Sequence, residues 1–218
     1  MEFKPSKIIL ALDVDSKEKA FSLLEKVGKK VAAVKLHPEH SLLWGISHAE
    51  LTAKIKELSE NAPVILDAKL ADIDSSNAMK SKYYFANGYD AIICHAFPGE
   101  KAVKAIVDEA NGKGVFVVCA MTSPGHAFTP DLAEKFAFLA YNAGVTGLVA
   151  PGNQYDLLKK IRDAAGPELV IISPGIGFQG GEAKKAIDAG ADYAIVGRAI
   201  VEAEDPEKAF EELQKQLE

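Results

Sequence analysis

Short apolar runs rich in β-branched residues alternate along the chain with longer segments in which apolar residues recur every three or four positions. The short runs lie at 8–14, 32–37, 64–70, 91–95, 115–121, 147–152, 169–176 and 193–198. Continuous apolar runs of this length are typical of strands buried on both faces, whereas the three- and four-residue spacing is typical of helices with one apolar face. The pattern therefore predicts eight strand–helix units.

The size of these units indicates how they assemble. Eight units in 218 residues give about 27 residues each, which suits a compact βα repeat. Strands buried on both faces imply a parallel sheet covered by helices, either an open doubly wound sheet or a closed barrel. Because eight units favour closure and no linker interrupts them, we predict an α/β fold, a (β/α)8 TIM barrel that forms a single domain over 1–218.

The last segment, 205–218, carries the signals of a helix start. Asp205 is a candidate N-cap, and Pro206 follows at the first helical position. The charged residues behind them predict a solvated helix face.

Composition excludes several classes of protein. The chain has 48% hydrophobic and 26% charged residues, and no apolar run approaches the roughly 20 residues of a membrane helix. A net charge of -6 argues against a nucleic-acid partner. Cys94 and Cys119 lie in apolar runs, so we predict that both are buried thiols. The first residues lack the long apolar stretch of a signal peptide, and we expect a cytoplasmic protein.

Polar residues gather at the carboxyl ends of the predicted strands, where a barrel of this type carries its active site. They are Asp13, Lys35, Asp67, Lys69, Asp72, His95, Thr122, Ser123 and Arg198. One interpretation is a structural ion-pair network that closes the mouth of the barrel. The other is a functional site, which so many ionisable groups from separate strands favour.

The most informative motif is Asp67-Ala-Lys69-Leu-Ala-Asp72. Since side chains alternate along a strand, Asp67 and Lys69 are predicted to point to the same side, into the barrel mouth. Carboxylates on both sides of a lysine favour its protonated form, and such a lysine can serve as a general acid. Lys35 adds a second cation to this group.

A glycine-rich segment at 173–181 follows the seventh strand, and Gly197-Arg198 follows the eighth. Glycines let backbone N–H groups approach an anion, and an arginine can bind it through two N–H groups. The loops after strands seven and eight are the usual phosphate site of this barrel, so we predict phosphate binding there. The chain has no Gly-x-x-x-x-Gly-Lys-Ser/Thr motif, so a P-loop hydrolase is not supported.

His37 and His40, which lie on either side of Pro38, are candidate metal ligands. No third histidine or cysteine follows at a ligand spacing, and we predict that the protein has no metal site.

Taken together, the motifs resemble the orotidine 5'-monophosphate decarboxylase family in its short archaeal form, over nearly the whole chain. The matching segments include Asp67-x-Lys69-x-x-Asp72, Pro174-Gly175-Ile176-Gly177-x-Gln179-Gly180-Gly181 and Val196-Gly197-Arg198. The first motif also occurs in 3-keto-L-gulonate 6-phosphate decarboxylases and hexulose-6-phosphate synthases, which bind magnesium and carry an acidic residue in place of Lys35. Lys35 and the glycine-rich loop therefore favour the orotidylate branch.

The resemblance implies cofactor-independent decarboxylation of orotidine 5'-monophosphate to uridine 5'-monophosphate, the last step of de novo pyrimidine nucleotide synthesis. It implies that Lys69 delivers a proton to C6 and that Asp67 lies beside the substrate carboxylate. Lys35 and Asp13 would contact the ribose hydroxyls. Asp72, with Ser76 near it, would reach the site of the other subunit in a homodimer.

The resemblance also implies the remaining contacts. Gln179, with Pro174, Gly175 and Gly177, belongs to a closing loop that binds substrate, and Gln179 would bridge base and phosphate. Gly197 and Arg198 would hold the phosphate. Thr122 and Ser123 would face the pyrimidine; the family often has serine followed by histidine or asparagine here, so which of the two hydroxyls contacts the base stays open.

Two alternatives stay open at this point. A magnesium-dependent sugar-phosphate decarboxylase or aldolase would be inactivated by a chelator. A barrel that only binds a nucleoside monophosphate would bind uridine monophosphate without turnover.

Overall fold

Eight parallel strands, each hydrogen bonded to its neighbours in chain order, close into a barrel in the computed structural model, which describes residues 1–217. The last strand pairs with the first, which completes the ring. The strands are β1 Ile8–Ala11, β2 Ala33–Leu36, β3 Val64–Leu70, β4 Ala91–His95, β5 Gly114–Val118, β6 Gly147–Val149, β7 Val170–Ser173 and β8 Tyr193–Val196. The prediction of a (β/α)8 barrel is confirmed.

Ten helices surround the strands among the described residues, and eight of them are the helices of the eight predicted strand–helix units. These eight are α1 Lys17–Val27, α3 His48–Leu58, α4 Asp74–Ala86, α5 Glu100–Ala110, α6 Pro130–Ala143, α7 Tyr155–Ala165, α8 Ala183–Asp188 and α10 Pro206–Gln216. Two short additions are α2 Glu39–Leu43, before α3, and α9 Arg198–Val201, between β8 and α10. None of the helices in residues 1–217 is both long enough and apolar enough to cross a membrane.

Alternation along the strands divides the apolar side chains into two layers. Ile8 and Leu10 of β1 belong to the layer between strands and helices, whereas Ile9 and Ala11 belong to the layer inside the barrel. Phe116 is the largest fully buried side chain of the inner layer. Because inward side chains fill the barrel along its length, a ligand can enter only at an open end.

Most strands end earlier than the apolar runs predict. The run 8–14 becomes a strand of four residues, yet Leu12 and Val14 after it stay buried. Likewise β5 ends at Val118, while Cys119 and Ala120 remain buried without belonging to a strand. An apolar run indicates burial, and after β1 and β5 the burial continues into the loop beyond the last paired residue.

Two local predictions are confirmed. The Asp205 side chain accepts a hydrogen bond from the Lys208 backbone N–H at 3.1 Å, and Pro206 opens α10. Cys94 and Cys119 are both fully buried free thiols, and burial raises the pKa of Cys94 to about 12. Glu218, the last residue of the segment predicted as a helix and of the predicted domain, lies outside the described residues.

Candidate active site

A cavity of about 550 Å³ opens at the carboxyl ends of the strands. It is lined by ten of the residues that the sequence analysis selected. They are Asp13, Lys35, Asp67, Lys69, Thr122, Pro174, Gly175, Gln179, Gly197 and Arg198. These residues lie in, or shortly after, six different strands (β1, β2, β3, β5, β7 and β8), and closure of the barrel brings them to one place.

Two lysines and two carboxylates form a connected charged array in this cavity. The Lys35 Nζ lies 3.7 Å from Asp13 Oδ1 and 3.4 Å from Asp67 Oδ2. The Lys69 Nζ donates to the same Asp67 Oδ2 at 2.8 Å. Only 5% of Lys35 is exposed, and a cation buried to this degree is stable only with such partners. We call Asp13, Lys35, Asp67 and Lys69 the charged array.

Asp67 is the centre of the charged array. Burial alone would raise the pKa of this carboxyl, but Lys35 and Lys69 outweigh burial and hold the pKa below its usual range. Asp67 is therefore a carboxylate at neutral pH. Its second oxygen, Oδ1, is buried and has no hydrogen-bond partner among residues 1–217. A fixed, incompletely paired negative charge thus lies beside the Lys69 ammonium.

Lys69 has an unusual backbone conformation. Its φ is +44°, in the left-handed region that lysine rarely adopts, although it lies within β3. The register between β3 and β4 shifts between Leu66 and Leu70, so the strand is irregular where it carries Lys69. Asp67 and Lys69 still meet, as the simple alternation predicts, but they do so across an irregular stretch of strand. Strained backbone of this kind is typical of functional sites.

His37 belongs to the cavity and was missed by the sequence analysis, which considered it only as a metal ligand. Its Nδ1 lies 3.1 Å from the Asp67 carbonyl oxygen, and its Nε2 lies 3.1 Å from Lys35 Nζ. When Nδ1–H donates to the carbonyl, Nε2 is free to accept from the lysine. His37 thereby gives Lys35 a third neighbour, and its Nε2 also lies 3.7 Å from Asp13 Oδ1 and 3.8 Å from Asp67 Oδ2. The signal was present: His37 follows Lys35 by two residues, the spacing that puts both on one side of a strand.

The glycine-rich loop 174–181 is a compact turn. Gly177 N–H donates to the Gly181 carbonyl at 2.7 Å, and Gly180 N–H donates to the Gly177 carbonyl at 2.8 Å. Gly175 has a φ of +95°, and a Cβ there would lie 2.9 Å from Thr122 Cγ2. Glycine is required at this position because the loop runs so close to the segment after β5.

Several selected residues lie outside this chain's own cavity. Ser123 is exposed and does not line the cavity, whereas its neighbour Thr122 does. The Gly177 N–H is used within its loop, so it is not free for a phosphate. His95 ends β4 but contacts Phe97 and Phe128 instead of the cavity, and burial, together with Lys69, lowers its pKa.

Asp72 and Ser76 also lie outside the cavity. Asp72 Oδ2 accepts from Lys80 Nζ at 2.7 Å, and Asp72 Oδ1 accepts from the Ile73 N–H at 2.8 Å. Within one chain, therefore, Lys69 has a carboxylate on one side only. The nearby Asp74 pairs with Lys101 of α5 at 2.6 Å.

No group of three or more His, Cys, Asp or Glu side chains in residues 1–217 is arranged to hold a metal ion. The two cavity carboxylates are instead bound to Lys35 and Lys69. A divalent cation at this place would have to displace these ammonium groups.

Comparison with known proteins points in one direction. The model of the "Orotidine 5'-phosphate decarboxylase / HUMPS family" matches residues 6–213. A protein named orotidine 5'-phosphate decarboxylase from Methanosarcina barkeri is 41% identical, over 99% of this chain and 96% of its own length. One of the same name from Pyrococcus furiosus is 35% identical, over 95% of this chain and 98% of its own.

A solved structure carries the same name. The orotidine 5'-monophosphate decarboxylase of Methanocaldococcus jannaschii, in complex with the inhibitor BMP, superposes with a TM-score of 0.88 and is 34% identical. The superposition covers 97% of this chain and 98% of that one.

Proposed function

This chain belongs to the orotidine 5'-phosphate decarboxylase / HUMPS family, and we propose that it decarboxylates orotidine 5'-monophosphate to uridine 5'-monophosphate. This carboxy-lyase reaction is the last step of de novo pyrimidine nucleotide synthesis. In our proposal Lys69 donates the proton to C6 and no cofactor takes part. The charged array in the cavity is the observation that carries the proposal.

Lys69 supplies what the reaction needs most. Loss of carbon dioxide leaves an electron pair at C6 in an sp² orbital in the plane of the ring, which cannot conjugate with the ring π system. A fixed ammonium beside C6 stabilises that charge without reorganisation and then transfers a proton to the carbon. The 2.8 Å contact with Asp67, which anchors the Lys69 Nζ, supports this role.

Asp67 acts on the other side of the bond that breaks. A carboxylate held ionised here faces the substrate carboxylate, a like-charge pair worth about 4 kcal/mol at 4 Å and an effective dielectric constant of 20. Departure of carbon dioxide removes part of that repulsion. The low pKa of Asp67 supports this assignment because a protonated Asp67 could not repel the substrate.

The rest of the cavity binds the remote parts of the nucleotide. In our proposal Asp13 and Lys35 bind the ribose hydroxyls, while Gly197 and Arg198 bind the phosphate. Gln179 bridges base and phosphate, beside Pro174 and Gly175. Contacts far from C6 hold the base against Lys69 and so contribute to the rate. Thr122 is the better candidate for the base contact because Ser123 does not line the cavity.

A homodimer is the second part of the proposal, with Asp72 and Ser76 contributed to the partner's site. Asp72 is held by Lys80 and the Ile73 N–H outside its own cavity, and its side chain is 41% exposed. Large apolar side chains are exposed nearby on α4 and its N-cap, namely Ile73, Met79 and Tyr83. An exposed apolar group beside a fixed carboxylate is consistent with an isologous interface. A cytoplasmic location stays a prediction.

A spectrophotometric assay tests the proposed function directly. The purified protein is mixed with orotidine 5'-monophosphate, and the loss of absorbance that accompanies decarboxylation is followed. We expect turnover to uridine 5'-monophosphate. Binding of uridine monophosphate without turnover would instead identify a nucleotide-binding barrel, and turnover of a sugar phosphate would identify the other enzymes of this family.

Metal removal provides a second prediction. We expect the rate of decarboxylation to be the same in about 5 mM EDTA as in about 5 mM magnesium chloride, because Lys35 and Lys69 already neutralise the cavity carboxylates. The measurement is the initial rate after overnight dialysis against the chelator. A loss of activity that magnesium restores would contradict the cofactor-independent mechanism.

A third prediction concerns phosphate binding by Arg198. In Arg198→Ala, binding of orotidine 5'-monophosphate is expected to weaken by roughly 2–5 kcal/mol, because a charge-assisted contact with the phosphate is lost. The loss for orotidine, which lacks the phosphate, should be much smaller. Lys184→Ala, which removes an exposed cation from α8, is the control. Equal losses for both substrates would mean that Arg198 does not bind the phosphate.

A further inference from the structure

Phe178, at the tip of the loop 174–181, covers the guanidinium of Arg198. The Arg198 Cζ lies 3.5 Å from the centroid of the Phe178 ring, and both side chains line the cavity. Phe178 is 67% exposed and is not part of the hydrophobic core. Packing of the hydrophobic core therefore does not explain why a phenylalanine is present at position 178, whereas the contact of its ring with Arg198 does explain it.

The neighbourhood of Arg198 makes this contact important. Among residues 1–217 no carboxylate lies within ion-pair distance of Arg198, whereas the Phe178 ring lies directly against its guanidinium. An aromatic ring attracts a cation over its face, and a guanidinium stacked in this way keeps the N–H groups on its edge free. Those edge N–H groups are the ones that bind a phosphate through two hydrogen bonds.

The loop is built to hold Phe178 in place. Its tip is closed by hydrogen bonds of Gly177 and Gly180, described above. A Cβ added to Gly177 would lie 2.9 Å from the Ala199 Cβ, so the tip lies directly against α9, the helix that begins with Arg198. The ring and the guanidinium are thus brought together by two segments of the chain that are already in contact.

We propose that Phe178 is a positioning residue for the phosphate site: its ring fixes the Arg198 guanidinium with the edge towards the phosphate and couples the seating of the loop 174–181 to phosphate binding. The inference rests on the proposed function, since it assumes that Arg198 binds the phosphate of the substrate. Phe178 would thereby increase the preference of the site for phosphorylated substrates without contacting the reacting atoms.

Three substitutions of Phe178 distinguish the effect of its aromatic face from the effect of its side-chain volume. Phe178→Tyr keeps the aromatic face, Phe178→Leu keeps apolar bulk without it, and Phe178→Ala removes both. We expect Leu and Ala to raise KM for orotidine 5'-monophosphate about 3- to 30-fold, the range of one cation–π contact, with a smaller change in kcat. The Tyr variant should behave like the unsubstituted protein. For orotidine, kcat/KM should not change in any of the three.

A double-mutant cycle tests the coupling to Arg198. In the Arg198→Ala background, Phe178→Ala should have no further effect on KM, because the ring then has no cation to position. The proposal is overturned if Phe178→Leu matches the unsubstituted protein, if the losses are equal with and without the phosphate, or if the two substitutions are additive. Circular dichroism and thermal unfolding of each variant show that the fold is retained, as expected for an exposed side chain.

Binding of uridine 5'-monophosphate, measured by calorimetry, keeps this test independent of turnover. If the protein binds uridine 5'-monophosphate but does not turn over orotidine 5'-monophosphate, the proposed reaction is wrong. The affinity of each Phe178 variant for uridine 5'-monophosphate then decides the role of Phe178. If the nucleotide is not bound at all, both proposals are overturned.

Discussion

Lys69→Ala is expected to fold normally and to lose decarboxylation by a factor on the order of 10⁴ to 10⁷, which combines general acid catalysis with electrostatic stabilisation of the developing charge. The loss should be in kcat rather than in KM, because Lys69 acts on C6 and the phosphate and ribose contacts remain. The measurement is the steady-state rate at saturating substrate. Calorimetric affinity for uridine 5'-monophosphate checks that the nucleotide still binds.

A second lysine of this chain provides the control for Lys69→Ala. Lys104 is an exposed residue of α5 that does not line the cavity, and Lys104→Ala should leave kcat unchanged. Alanine at position 69 retains a Cβ, so the left-handed backbone there is strained in the variant as in the unsubstituted protein. A turnover close to normal in Lys69→Ala would rule out the mechanism proposed here.

A mixture of Lys69→Ala and Asp72→Asn chains is expected to recover activity that neither variant has alone. If Asp72 serves the partner's site, a mixed dimer contains one site with both substitutions and one site with neither. Random exchange makes about half of the dimers mixed, so the mixture should reach about a quarter of the unsubstituted activity. The measurement is the rate after subunit exchange has been confirmed by mass spectrometry of differently tagged chains.

Two controls sharpen this experiment. Lys69→Ala mixed with Asp67→Asn should not recover, because both residues lie in the cavity of their own chain and every site then carries one substitution. Asp74→Asn is the matched variant for Asp72, since Asp74 is a neighbouring carboxylate paired with Lys101, and it should be nearly fully active. If the protein proves monomeric, or if exchanged dimers show no recovery, Asp72 does not complete the partner's site.

The fold and the centre of the site could both be predicted from the sequence, for a common reason. A strand buried on both faces is almost uniformly apolar, so Lys35 and Asp67 are conspicuous within one, and closure of the barrel brings strand ends together. The details of loops could not be predicted. Nothing local distinguishes Thr122, which lines the cavity, from Ser123, which does not.

Contacts between segments that are distant in the sequence could not be predicted from the sequence either. The stacking of Phe178 on Arg198 depends on how the loop 174–181 approaches the start of α9, and neither residue alone indicates it. The shift in register between β3 and β4 has no counterpart in the apolar pattern, since Leu66 and Leu70 are both ordinary strand residues. His37 is a different case, because its two-residue spacing from Lys35 was a usable signal.

The backbone of Lys69 has a consequence for the stability of variants at this position. A non-glycine residue in the left-handed region costs about 1–3 kcal/mol, which the surrounding barrel must supply. Glycine adopts the same φ without strain, so Lys69→Gly would relieve this cost, but it would also remove the ammonium that pairs with the buried Asp67. Any substitution of Lys69 therefore alters stability through two effects at once, the backbone strain at position 69 and the pairing of Asp67.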